Sequence, residues 1–274
     1  MTPSVDSNIP PPIERVTTES GGLYSIASNV SMPEAEVNVT ISLQESWNYS
    51  INVIGSFRIK SQETQNLTTA FVYPSVWTHF TEDQIVTIRE FLISVNNSNV
   101  AFTVLPFDDF KDDFDFNQTN WENVVDCDFA LFNFSIDSED PIDVGVSTVF
   151  SVTTTAHEFI FEYIVDTARG WEGNAHETVS IDFERTPGTE FIEYKFAPEQ
   201  CLEFIGNNYS ANLFWNFNIS DFLYDRVSFK VQQRDYPDYD PIPPPPPGPS
   251  PWLPLIFWAV VLIIIIGLRK QDKI

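Results

Sequence analysis

The chain has 274 residues, a formal net charge of −25 and 24 Phe among an aromatic content of 15%. That apolar area is enough for packed cores, so the acidity does not mark a disordered chain. The shortage of Lys and Arg excludes nucleic acid and anionic membrane surfaces as partners, because both are held through basic patches.

Residues 1–20 are polar and Pro-containing and read as a flexible lead. They carry neither a basic n-region nor an apolar h-region, so no signal peptide is visible; either the true start lies upstream or a C-terminal helix directs insertion. From there period-2 alternation dominates. Val37, Val39, Ile41 and Leu43 alternate with Asn38, Thr40 and Ser42, and Tyr49, Ile51, Val53, Phe57 and Ile59 alternate with Asn48, Ser50, Asn52 and Arg58. Both patterns predict half-buried strands. A third strand, 67–73, stops at Pro74, which cannot continue a ladder. Residues 85–95 and 100–105, joined by Asn96-Asn97-Ser98-Asn99, predict a hairpin.

The alternation breaks in 107–124, which separates a first expected domain, 21–106, from a second, 125–235. The second half predicts strands at 128–136, 144–155, 157–166, 178–184, 190–196, 211–219 and 227–232. The expected fold is mainly β, with two immunoglobulin-like β-sandwich domains and one C-terminal transmembrane helix.

Little chemistry is legible along the way. No GxSxG, GxGxxG or Walker loop occurs, and His79, His157 and His176 fall outside any HExxH pattern. Glu158 and Glu162 share a strand face, but four strand residues span ~13 Å, too far for a glycosidase pair. No enzyme and no resident cofactor are expected. The acidic linker with Asp108, Asp109, Asp112, Asp113 and Asp115 is a weak Ca²⁺ candidate without EF-hand spacing, the alternative being a solvated loop.

Cys127 and Cys201 form a disulfide candidate whose closed loop would contribute on the order of 4 kcal/mol; two reduced thiols are the alternative. Trp171 lies between them, farther from the first Cys than the immunoglobulin pattern places its Trp. On its Gly-flanked turn it is a candidate partner contact, unless it folds back over its own sandwich.

Nine Asn-x-Ser/Thr triplets begin at Asn29, Asn38, Asn48, Asn66, Asn96, Asn117, Asn133, Asn208 and Asn218. They are glycosylation candidates and point to a surface protein. Asn38, Asn48 and Asn218 alternate with large apolar residues and should face solvent. Asn133 is the poorer candidate, since Phe129 and Leu131 share its phase.

Residues 236–251 are a Pro-rich stalk, extended as polyproline II at ~3.1 Å per residue. Residues 252–268, WLPLIFWAVVLIIIIGL, carry no charge and suffice for a spanning helix, with Trp252 and Trp258 toward the outer interface. Before Trp252 eleven Lys and Arg stand against thirty-eight Asp and Glu, a net charge of −27, whereas the tail 269–274 has Arg269, Lys270 and Lys273 against Asp272. Cationic flanks resist translocation, so the tail is expected in the cytoplasm and the N-terminal region outside a cell membrane crossed once.

The segment PPPPPGPSP, the apolar run, and the strand phrases AFVYP and YIVDTARGW resemble uncharacterised archaeal surface glycoproteins with a β-sandwich ectodomain, a Pro-rich stalk and a C-terminal helix. The resemblance implies surface display and transfers no functional residue. The expected function is therefore binding or adhesion by a membrane-anchored ectodomain. Its partners would be the bilayer through 252–268 and an unidentified surface protein or glycan. A passive envelope element and a tail-anchored protein facing the cytosol are the alternatives.

Overall fold

The computed structural model describes residues 15–25, 29–44, 48–78, 85–106, 109, 128–138, 140–153, 158–165, 168, 171–186, 192–207, 209–224 and 226–233. The expected stalk, spanning helix and tail, and the linker apart from Asp109, lie outside them. No helix among the described residues is long and apolar enough to cross a membrane.

The protein is mainly β. In chain order the strands are β1 (Arg15–Gly21), β2 (Leu23–Ser25), β3 (Val30–Gln44), β4 (Asn48–Ser61), β5 (Gln65–Tyr73), β6 (Ser75–Thr78), β7 (Ile85–Val95), β8 (Ser98–Asn99) and β9 (Phe102–Leu105). There follow β10 (Asp128–Ile136), β11 (Ile142–Thr153), β12 (Glu158–Ile164), β13 (His176–Arg185), β14 (Ile192–Ala197), β15 (Leu202–Gly206), β16 (Ser210–Asn218) and β17 (Arg226–Gln233). They form an eight-stranded sheet in the order β15-β16-β13-β3-β4-β11-β7-β8, a five-stranded sheet β14-β17-β12-β1-β6 and a four-stranded sheet β2-β5-β10-β9.

The alternation seen in the sequence is the alternation of burial. Val37, Val39, Ile41 and Leu43 of β3, Tyr49 to Ile59 of β4 and Ala211 to Phe217 of β16 send every second side chain into the core while their neighbours face outward. Burying each large side chain contributes roughly 1.5–3 kcal/mol.

That inner face of the eight-stranded sheet meets both smaller sheets. Tyr49 stacks on Phe159 at 3.9 Å, and Phe183 lies 5.5 Å from Tyr194 and 5.2 Å from Phe229, all in contact with the five-stranded sheet. Phe57 and Phe91 reach Phe71 of the four-stranded sheet at 6.1 and 6.2 Å. The two smaller sheets share strands end to end. The chain leaves the five-stranded sheet for the four-stranded one at Gly21-Gly22 and returns at Pro74. Gly21 is required at the first crossing, since a Cβ there would lie 2.3 Å from Cγ2 of Val72. Pro74, with no N–H to donate, ends one ladder and begins the other.

Two separate immunoglobulin-like sandwiches are thereby corrected to one interleaved body. β11 and β13 pair with β4 and β3, β12 pairs with β1, and β10 pairs with β5, so each sheet mixes strands from both sides of the expected boundary. The contacts of the chain accordingly group residues 1–235 as one unit. Periodicity says which face of a strand is buried and says nothing of its neighbour, which is how the division arose. The lead expected at 1–20 contains β1, paired in parallel with β12. The predicted hairpin is also altered. β7 turns through Asn96 and Asn97, both at positive φ, into the two-residue β8, while β9 joins β10 in another sheet.

Candidate functional site

At one end of the eight-stranded sheet a transverse row of outward residues runs Asn218, His176, Glu34, Arg58 and Asp143 across β16, β13, β3, β4 and β11. A bulge creates part of it. Ser31 pairs with Lys60 and the next pair is Glu34 with Arg58, so Met32 and Pro33 are absorbed as an irregularity. Buried Val30 and Met32 give way to buried Ala35 and Val37, and the shift of phase turns Glu34 and Glu36 outward. Pro at a bulge loses no ladder bond.

The Arg58 guanidinium stands between two carboxylates, 3.6 Å from Glu34 and 3.8 Å from Asp143. Around it opens a hollow of about 430 Å³ lined by Glu34, Glu36, Asp143, His176 and Asn97, with the small side chains of Ser56 and Thr178 in its floor. The Glu36 carboxylate accepts from Asn38 Nδ2 at 3.0 Å, and Asn38 Oδ1 accepts from Ser180 at 2.6 Å. His176 Nδ1 and Asn218 Oδ1 are 3.3 Å apart. Three carboxylates against one guanidinium leave the hollow acidic. It offers hydrogen-bonding and charge recognition for a polar ligand.

Beside it lies a second, apolar hollow of about 440 Å³ formed by Gly173, Ile219, Ser220, Phe222 and Leu223. Phe222 stacks on Phe217 at 3.9 Å and Tyr224 meets Phe222 edge-on at 5.6 Å. Leu223 is 81% exposed, unlike its neighbour Phe222.

Behind the polar row, on the inner face, Glu177 is buried against Tyr163, whose hydroxyl donates to Glu177 Oε1 at 2.7 Å; Oε2 has no hydrogen-bond partner. Loss of hydration pushes this carboxyl up to about 8, and the smaller pull of the Tyr163 hydrogen bond runs the other way. Burial and the nearby carboxylate hold the Tyr163 phenol well above its usual range.

The sequence-derived candidates fall differently. Trp171 is no partner contact: it is 5% exposed, and its Nε1 donates to the Leu23 carbonyl at 2.7 Å. An indole on a Gly-flanked turn is long enough to fold back, and the buried carbonyl of Leu23 rewards it. Cys201 is exposed at a turn with φ +58° and forms no disulfide among the described residues; Cys127 lies outside them. Asn29, Asn38, Asn66, Asn96, Asn133 and Asn218 are exposed and Asn48 is half-buried, with Asn117 and Asn208 outside the described residues. Asn133 corrects the expectation of a covered strand. Phe129 is buried, but on that face of β10 Leu131 is only half-buried and Asn133 is exposed, accepting from Thr68. Among the described residues no cluster of His, Cys, Asp and Glu fit for a metal occurs. The Ca²⁺ candidate in 107–124 lies outside them except for Asp109, and so do His79 and His157.

The acidic hollow escaped the sequence reading because its residues come from four separate strands. The one local signal was the slip of hydrophobic phase around Pro33.

No family model matches the chain, and no curated protein matches it. The fold is similar to that of a proposed nutrient binding protein from Legionella pneumophila, with a TM-score of 0.58 and 12% identity over 81% of this chain and 73% of that one. At this identity the likeness is one of fold alone. An M1 zinc metallopeptidase from Deinococcus radiodurans aligns at TM-score 0.35 and 8% identity, over 75% of this chain and 43% of its own. A proposed protease from Parabacteroides distasonis aligns at TM-score 0.35 and 9% identity, over 76% and 41%. The chain spans less than half the length of these two proteins, and no argument rests on them.

Proposed function

We propose that the chain is a single-pass, membrane-anchored cell-surface glycoprotein that displays one large β-sandwich for binding. Residues 252–268 cross the bilayer as a helix, 236–251 form the stalk, and the basic tail remains in the cytoplasm. The observation that carries this reading is the placement of the sequons. Six of the seven described sequon asparagines are exposed and the seventh is half-buried, although five of them, Asn38, Asn48, Asn66, Asn133 and Asn218, sit on strands whose alternate residues fill the core. The charge asymmetry about the apolar run supports the same topology.

Binding is favoured over a passive envelope role by the acidic hollow and the apolar one beside it, since a structural wall needs neither. Glycopeptide mapping of native membranes should find glycan on Asn38, Asn48 and Asn218, and protease added to intact cells should remove the region before Trp252 and spare the tail. Unmodified asparagines at all three positions, with cleavage only after lysis, would replace this reading with the cytosolic tail-anchored one.

A further inference from the structure

The transverse row that builds the acidic hollow begins and ends on sequons. Val144 pairs with Val95, so Asp143 is level with Asn96, whose N–H donates to the Asp143 carbonyl at 2.8 Å. The full row is therefore Asn218, His176, Glu34, Arg58, Asp143 and Asn96. Asn38 stands two residues beyond Glu36 on the same face of β3. Three of the seven described sequon asparagines thus border the hollow, each on a different side.

They are also bonded to its lining. Asn38 Nδ2 donates to Glu36, Asn96 Oδ1 accepts from the Asp143 N–H at 3.1 Å, and Asn218 Oδ1 lies 3.3 Å from His176 Nδ1. The other four bond elsewhere: Asn29 through its backbone N–H to Glu172, Asn48 to Thr153, Asn66 to Ser135 and Asn133 to Thr68. At Asn96 and Asn218 these contacts use Oδ1 and leave Nδ2, the atom that carries a sugar, unengaged by the lining. At Asn38 one Nδ2 proton serves Glu36 and the second is available. In the transfer Nδ2 displaces a lipid-phosphate carrier from the anomeric carbon of an activated sugar and loses one amide proton, and Oδ1 is untouched.

All three asparagines are exposed. From Asn218 to Asn96 the row crosses five inter-strand steps, about 24 Å at the usual strand spacing, so glycans rooted at its ends need reach only about 12 Å to meet over Arg58. Beneath them lie Glu34 and Asp143, whose side chains are each 65% exposed in the bare protein.

We infer that the chain's own N-glycans on Asn38, Asn96 and Asn218 control access to the acidic hollow. With these sequons filled, the glycans hold a macromolecular partner off and leave the hollow to ligands small enough to pass between them. With the sequons bare, the hollow is open across its whole face. The inference rests on the surface-glycoprotein reading and adds which of the sequons bear on binding.

The test uses the full chain purified from native membranes in mild detergent, with glycopeptide mapping to record which sequons are filled. Its bare counterpart is the triple variant Thr40→Ala, Ser98→Ala and Ser220→Ala, which removes the three sequons at exposed positions and keeps the asparagines with their hydrogen bonds. Carbodiimide couples carboxylates to two amine probes, glycine ethyl ester and the compact basic protein lysozyme, and mass spectrometry locates the couplings. Lysozyme should couple to Glu34, Glu36 and Asp143 at least about tenfold more in the bare form, because a bulky glycan blocks a macromolecule far more than a small amine. Glycine ethyl ester should couple to the same residues in both forms, and coupling at exposed Glu193, on β14 where no sequon lies, should be alike throughout. In wild-type protein of mixed occupancy, Glu36 coupled to lysozyme should be found on peptides whose Asn38 is bare, a reading that needs no substitution. Equal coupling of lysozyme with the three sequons filled and bare would overturn the inference and leave the surface-glycoprotein reading standing. Native protein with no glycan on any sequon overturns that reading, and this inference with it.

Discussion

Glu177 shows how one residue can act against the fold that holds it. Its carboxyl is raised to about 8 from an ordinary value of 4.5, so between these limits the unfolded chain has lost the proton and the folded chain keeps it. The folded state then binds more protons, and stability falls as pH rises through that window. At pH 7 the loss is on the order of 3 kcal/mol. Glu177→Gln keeps an acceptor for Tyr163 and cannot ionise. Its melting temperature should exceed that of wild type at pH 7, with the gain shrinking toward zero near pH 4; a gain independent of pH would assign the effect to something other than ionisation. Trp171 acts in the opposite sense, filling the core and satisfying a buried carbonyl. Trp171→Ala should destabilise by about 3–5 kcal/mol in denaturant unfolding, as expected of a core residue.

At the scale of elements, the joins between sheets matter as much as the strands. β1 and β2 are consecutive in sequence and belong to different sheets, and the turn between them passes so close to Val72 that no side chain fits at Gly21. Gly21→Ala should therefore cost roughly 1–3 kcal/mol, although Ala is ordinarily the better residue outside a turn. Equilibrium unfolding in urea measures it, and an unchanged midpoint would mean that Val72 yields without strain. The bulge at Met32-Pro33 works through phase. By adding a residue it leaves β3 with one buried face throughout while turning Glu34 and Glu36 to the side that builds the acidic hollow.

For the whole molecule the consequence of interleaving is cooperativity. β3 needs β13 beside it, β1 needs β12, and β4 needs β11, each from the other half of the chain. Produced separately, residues 21–106 and 125–235 should show no cooperative thermal transition, because each would expose a row of unpaired edges and half a core. Residues 15–233 together should unfold in one transition. Independent folding of either half would show that the two-sandwich division holds after all.

The sequence by itself determined that this chain is built of strands, where most of those strands run and which of their faces are buried. The pleat has a period of two, so a residue's place in the alternation decides its side regardless of its neighbours. Val37 to Leu43, Tyr49 to Ile59 and Leu213 to Phe217 were legible for that reason, and so was the outward placing of Asn38 and Asn218. β1, whose RVTTESG holds a single large apolar residue, and the short β2, β6 and β15 were not, since too few apolar residues alternate in them to stand out from a loop. Strand order was beyond the sequence as well, because any half-buried strand can pair with any other, and only the closing of a common core selects β13 for β3 and β12 for β1. The acidic hollow follows from that selection. Its residues lie far apart along the chain, and tertiary pairing alone sets them side by side.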